Sequence, residues 1–269
     1  MSKSSIKLRP AASTITTGVI LATMFVAAGS QPVFAESAEA KKILRKMSDT
    51  LVSQTSIAFA YDTALDVVTD EGQVVSIASS GGVAFDRDGR LHATRTGGFS
   101  DVEMMFDGTD VTVAGRNADA YATAEYSGSV EQLLDVLHDQ YGFPVPGADI
   151  LVADPYAVLM DGVTDVKDLG AGVIGGVMCD HIALRTETVD WQIFVAQGDR
   201  PLPCRYVITS EDIEGAPRYQ IDFDDWATGG KVAEAAFTFD AMDDATLVSF
   251  EELRALANEI PSHFKLGDQ

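Results

Sequence analysis

MCDHIALRTETVDWQIFVAQGDRPLPCRYVIT, residues 178–209, is the stretch that decides the fold. Trp191, Ile193 and Val195 alternate with Asp190, Gln192 and Ala196, and Tyr206 and Ile208 alternate with Arg205 and Thr209. A period of two sends successive side chains to opposite faces of a strand. The spacing predicts three consecutive strands, 178–187, 189–197 and 203–210, joined by a tight turn and a Gly-Asp-Arg-Pro turn. Each strand has one large apolar face, so the product is an antiparallel meander.

Upstream, the same period recurs. Ile57, Phe59, Tyr61, Leu65 and Val67 point one way from Ser56 onward, and Asp70-Glu71-Gly72 turns the chain into a strand at 73–78. Gly81-Gly82 predicts a bulge or kink that lets a long strand curve. Asp86-Arg87-Asp88-Gly89 makes the next hairpin; it resembles the start of a calcium loop, but the later ligand positions are missing. Strands at 91–96, 102–106, 111–113 and 121–126 complete a first run of about six. Turn signals every 8 to 12 residues or so suit an up-and-down sheet. Downstream, Gly170, Gly172, Gly175 and Gly176 lie in a twisted strand and hairpin, followed after the opening stretch by Tyr219, Ile221 and Phe223, then Phe237 and Phe239.

Four segments change period. Ile43, Leu44, Met47 and Leu51 stand at helical spacing within 38–54, with basic residues opposite. Ser129 and Gln132 form a capping box for a helix to Tyr141, and Asp154-Pro155 starts another, to about 161. Ser249 and Glu252 cap a last short helix. Pro144 and Pro146 break the chain between the second and third, making residues 142–147 a candidate mobile lid.

The amino terminus carries Lys3, Lys7 and Arg9, an apolar run from Ile15 to Ala28, and Val33-Phe34-Ala35, which fits a small-x-small cleavage site. These features predict a signal peptide at 1–35, export to the periplasm, and a single domain at 36–269 with no membrane span after cleavage. Cutting 35 residues from 269 leaves 234, and losing three basic and no acidic residues takes the formal charge from −22 to −25. Such a surface repels nucleic acid and anionic headgroups at long range.

No catalytic constellation emerges, and no cofactor or metal is expected. Cys179 and His181 share a strand face, yet no third ligand can be named. No serine sits in a Gly-x-Ser-x-Gly elbow. Cys179 and Cys204 are the only cysteines of an exported chain. In a simple meander they stand two strand spacings, about 9.6 Å, apart. A disulfide needs Cα atoms within about 7 Å, which favours two free, half-buried thiols.

Cys179-Asp180-His181, Asp190-Trp191-Gln192, Gly198-Asp199-Arg200-Pro201-Leu202-Pro203 and Val207-Ile208-Thr209 together resemble a family of predicted periplasmic bacterial proteins. That family is grouped with the lipoprotein-carrier-like fold of LolA and LolB and with the sensor RseB. The resemblance implies a mainly β (α+β) fold: an unclosed antiparallel β-barrel of about eleven strands, with helices covering the concave face. It implies no particular activity. The periodicity agrees, since Phe59, Tyr61, Met104, Phe106, Trp191, Tyr206, Tyr219, Phe223 and Phe237 all fall on the large-side-chain parity of their expected strands. These nine are the candidate hydrophobic ligand face. Two functions follow as expectations: a non-enzymatic periplasmic carrier for a lipid or lipoprotein acyl chain, or an envelope sensor or accessory module that engages another protein. Because each helix covers only about 10 Å of width, some of the aromatic surface is expected to stay uncovered or only loosely covered.

Overall fold

The computed structural model describes residues 33–143, 145, 147–239, 244–257 and 264–265. The basic segment and apolar run of the expected signal peptide lie outside the described residues, as do Pro144 and Pro146.

Helix α1 (Val33–Val52) buries Leu44, Met47 and Leu51 of the stripe expected from the helical spacing, with Ala40 in addition, while Ile43 is half-buried. A first meander follows: β1 (Ser56–Thr69), β2 (Val74–Asp86), β3 (Arg90–Gly97), β4 (Asp101–Phe106), β5 (Asp110–Gly115) and β6 (Ala120–Glu125). Three helices interrupt it, α2 (Val130–Asp139), α3 (Ala148–Leu151) and α4 (Pro155–Met160). The second meander is β7 (Asp165–Ile174), β8 (Val177–Arg185), β9 (Val189–Ala196), β10 (Pro203–Ser210) and β11 (Arg218–Thr228). The two-residue strands β12 (Thr246–Leu247) and β13 (Phe264–Lys265) flank helix α5 (Phe250–Leu256). Both expected capping boxes are formed: Ser129 and Ser249 accept from the backbone N–H three residues on, and Gln132 and Glu252 reach back.

The sheet order is β12-β6-β5-β4-β3-β2-β1-β11-β10-β9-β8-β7. The two meanders are joined where β11 returns to lie antiparallel to β1. β6, with its short partner β12, and β7 therefore end up at opposite sides of an unclosed barrel. Residues 126–164 must carry the chain from one side to the other, and they do so as helices whose apolar faces, Val130, Leu133, Leu134, Leu137, Ile150, Leu151 and Leu159, join α1 in the main core. The eleven long strands supply the other wall of that core.

Three local expectations are corrected. Gly81-Gly82 is neither bulge nor kink, because β2 keeps unbroken register with both β1 and β3. Gly81 is instead a crossing point: the Tyr61 hydroxyl passes over it from β1 and donates to the Thr94 carbonyl of β3 at 2.7 Å. A Cβ at position 81 would lie 1.9 Å from that carbonyl oxygen. The irregularity lies between β1 and β11, where Asp225 and Trp226 together oppose Phe59 and Asp225 takes a positive φ of 51°.

The second correction concerns the cysteines, which form a disulfide across 7.0 Å between Cα atoms. β9 does separate their strands, but only at its last residue. Ala196, the smallest side chain in β9, stands opposite Cys179, and a register shift between Pro203 and Arg205 turns Cys204 out of the normal alternation. Two full strand spacings overestimate the gap because the bulge and the strand end both fall at this point. In the third, Phe237 and Phe239 do not belong to a strand; Phe237 closes a 3-10 turn at Glu234–Phe237.

Candidate hydrophobic site on the concave face

Seven of the nine candidate residues converge. Phe59, Tyr61, Met104, Phe106, Trp191, Tyr206 and Phe223 share one buried cluster, none more than 8% exposed. Tyr219 is half-buried toward the opposite end of β11, facing Leu65 and Ile208 across the sheet, and it packs against the edge of the main core as well as a smaller cluster around Val67. Phe237 belongs elsewhere. Leu91 and Ala93 face the core from β3, so Arg90 and His92 face outward, and Arg90 lies over the Phe237 ring at 4.3 Å. His92 sits between the Ala236 carbonyl and Glu103, each 2.7 Å away, tying the 3-10 turn to the outer face of the sheet. A strand-parity argument cannot apply to a residue that is not in a strand.

The bulge in β11 adds an aromatic ring to the concave face. An extra residue at 225 reverses the alternation, so Trp226 points to the same side as Phe223. Phe59 packs on Phe223 at 5.3 Å and on Trp226 at 4.7 Å, and the Trp226 indole donates to the Pro203 carbonyl at 3.0 Å. Gly147 is set down on this aromatic floor, where a Cβ would meet Phe223 at 3.2 Å and Phe59 at 3.4 Å. Its φ of 74° favours glycine independently. Trp226 was not legible as a member of the site, since Asp224-Asp225-Trp226 has the pattern of a strand running into a turn.

Beside the floor, Trp191 and Tyr206 meet edge-to-face at 5.5 Å. Tyr206 is flanked by Ile193 on β9 and Ile221 on β11, both fully buried. Burial, with a smaller contribution from the Asp149 charge, holds its hydroxyl well above the ordinary tyrosine range, so it stays a donor. Asp149, on α3 two residues after Gly147, is pushed above the usual carboxylate range by burial, partly offset by His138. Among the described residues no fully buried side-chain nitrogen or oxygen is left without a hydrogen-bond partner. No sequence signal marked Asp149, because its four-residue helix has no periodicity to read.

Of the strand aromatics of the concave face, Phe59, Tyr61, Phe106, Trp191, Tyr206 and Phe223 are buried, whereas Tyr219 and Trp226 are half-buried, so the cover is tight over most of the face and looser at these two. The cover includes α3, unread in the sequence, and α5, whose Phe250 stacks on Tyr141 at 4.5 Å. Exposed large apolar side chains are scattered over the molecule, four of them on β7 and β8, where Leu169, Val173, Val177 and Met178 are each about half exposed. His181 stacks on Phe194 at 3.9 Å and pairs with Gln192, while its neighbour Cys179 is committed to the disulfide. Among the described residues, no group of three or more His, Cys, Asp or Glu side chains is placed to hold a metal, and no helix is long and apolar enough to cross a membrane.

An unclosed antiparallel barrel with a helix-covered, aromatic-floored concave face is the class of this protein. The chain belongs to the family described as predicted periplasmic protein (DUF2092), whose model matches residues 40–251. No curated protein matches it. Among solved structures it is similar to the lipoprotein LppX of Mycobacterium tuberculosis, with 17% identity and a TM-score of 0.47 over 73% of this chain and 98% of that one. It is similar also to LprF of Mycobacterium bovis, with 12% identity and a TM-score of 0.46 over 74% and 96% of the two chains. The Pseudomonas aeruginosa MucA/MucB complex matches with 12% identity and a TM-score of 0.43 over 78% of this chain and 64% of that one.

Proposed function

We propose that this protein is a periplasmic, non-enzymatic carrier or binding protein for a hydrophobic ligand such as a lipid or a lipoprotein acyl chain. The ligand is taken onto the concave face beneath Gly147 and α3. The observation that carries this reading is the nature of the cover over Phe59 and Phe223. Over most of the core, helices seal the sheet with apolar side chains, but above this floor the contact is made by Gly147, on a connection between two helices. Phe143 and Val145 anchor this connection in the main core, so the part that can lift most easily is the backbone at Gly147, which has no side chain of its own to hold it on the rings. Lifting it uncovers aromatic rings without breaking a strand ladder.

Titration of the exported protein with a fluorescent fatty-acid analogue, followed by quenching of tryptophan emission, tests the proposal. Saturable micromolar binding that Phe223→Asp abolishes supports it; no saturable binding overturns it. Export itself is tested by amino-terminal sequencing, which should read Glu36-Ser37-Ala38, with an intact Met1–Ala35 as the contrary result.

A second reading, an envelope sensor or accessory module engaging another protein, is favoured by one separate observation. Residues 169–178 contain no charged side chain, and four of their large apolar groups are about half exposed at the free side of the sheet. Exposed apolar patches of this kind mark interaction surfaces.

A further inference from the structure

An antiparallel sheet packed on one side reads apolar toward the core and polar toward water, residue by residue. At the tip of the β7–β8 hairpin that alternation lapses. Val173 stands opposite Met178 and Ile174 opposite Val177. Met178 shares the parity of the buried Ile182 and Leu184, so the first pair faces the concave side and the second the outer side, and both are apolar. Val173, Val177 and Met178 are 61%, 48% and 49% exposed. Residues 169–178 carry no charged side chain, in a chain whose formal net charge is −22. The tip also stands clear of the sheet. β7 is the last strand on its side, and the pairing of β8 with β9 ends at Cys179, beyond which the Gln197 N–H reaches the Met178 carbonyl. Gly175 and Gly176, with φ of 55° and 84°, make the two-residue turn, and a Cβ on either would meet no other part of the structure within 4 Å. Val177, two residues past Cys179, therefore lies about 7 Å beyond the end of that pairing.

We propose that this tip is a membrane-docking site whose partner is a zwitterionic lipid surface. Docking on a protein surface buries one face of a hairpin end and leaves the other in water, whereas the interfacial layer of a bilayer closes around both. Apolar side chains on both faces therefore select the bilayer. Interfacial elements enter a membrane by about 5 to 10 Å, which matches the projection of the tip. At that depth the unpaired backbone groups of the turn keep their access to headgroup water. The nearest charges along the two strands, Asp168 and Asp180, stand at the base, where Asp180 accepts from the Gln197 side chain. Lys46 lies on the same rim, donating to the Gly198 carbonyl at 3.1 Å. These groups stop insertion at headgroup level. The acidic surface around the tip is repelled by anionic headgroups within about a Debye length, so a membrane without net charge suits this uncharged tip better. The inference goes beyond the carrier reading and uses none of its residues; it gives the hairpin that favours a protein partner a lipid partner instead.

Co-sedimentation of the full exported protein with sucrose-loaded vesicles of dioleoylphosphatidylcholine tests the proposal. Wild type should partition onto the vesicles. The double variant Val173→Asp, Val177→Asp puts a carboxylate on each face of the tip and should lower the partition coefficient about tenfold or more. Both positions are exposed, so the variant should keep the urea midpoint of wild type. Val177→Trp reads insertion directly: its added emission should shift to the blue with vesicles and be quenched by phosphatidylcholine brominated on the acyl chains, against the baseline that Trp191 and Trp226 give in wild type. Exchanging half the phosphatidylcholine for phosphatidylglycerol should weaken binding at low salt. Wild type that stays in the supernatant, a double variant that binds as well as wild type, an unquenched Val177→Trp, or binding that requires phosphatidylglycerol overturns the assignment and leaves the tip to a protein partner. Fatty-acid binding plays no part in these measurements, so the carrier reading and the docking site can fail separately.

Discussion

Replacing Cys179 and Cys204 together by alanine removes a crosslink between residues 25 apart in sequence. In the chain-entropy description, closing a loop of that length in the unfolded ensemble is worth about 3.5 kcal/mol at room temperature. The two sulfurs are also buried, Cys179 fully and Cys204 nearly so, and alanine leaves small gaps in their place. The expected loss is therefore about 3 to 4 kcal/mol. For a domain of this size that corresponds to roughly 6 to 16 °C in Tm. Urea melts of the exported protein, followed by the emission of Trp191 and Trp226, measure it directly. Oxidised wild type, wild type in dithiothreitol and the double alanine variant form the comparison, and the reduced protein should melt close to the variant. A midpoint that reductant does not move, or two titratable thiols in the denatured exported protein, would refute the bridge and restore the two-spacing separation inferred from a simple meander.

Trp191→Ala should cost about 3 to 5 kcal/mol in urea melts, since Trp191 is 5% exposed, stands opposite Leu184 and Ile208, and supports the Tyr206 ring. An unchanged midpoint would mean that the ring is not packed. Gly81→Ala should cost about 2 to 4 kcal/mol, because its methyl group collides with the Thr94 carbonyl and displaces the Tyr61 hydroxyl; full stability in the variant would show that β2 and β3 do not approach so closely. Asp149→Asn should raise the urea midpoint at pH 8. The folded carboxyl titrates above its unfolded counterpart, so the penalty is fully present above the folded pKa and absent below the ordinary carboxylate range. The advantage of the variant should shrink as pH falls through that window, and a pH-independent difference would mean that burial is not the cause.

Much of this architecture was legible in the sequence for local reasons. In a strand the side-chain period is two regardless of what the strand pairs with, so the alternation at 189–196 and 203–210 marked both the strands and their buried faces. Capping is equally local: Ser129 with Gln132 and Ser249 with Glu252 mark their helix starts through groups three residues apart. Seven of the nine aromatic and methionine positions assigned to the concave face are in the main core because parity alone decides which way they point.

What the tertiary structure decided depends on partners distant in the chain. Nothing near Ser56–Thr69 says that it lies beside Arg218–Thr228, yet that pairing joins the two meanders and sends residues 126–164 across the concave face. The bulge at Asp225 arises in that same pairing, and with it the turning of Trp226 onto Phe59. The Cys179–Cys204 bridge required both the end of β9 and the register shift in β10, neither visible in cysteine spacing. Phe237 obeyed the sequence pattern but was captured by Arg90 on the outer face. Asp149 and Tyr206, 57 residues apart in the chain, are drawn out of solvent only because the cover and the sheet close on each other. Sequence periodicity records which face of an element is apolar; which distant element that face meets, and which polar groups are trapped between them, is settled only when the long-range pairings form.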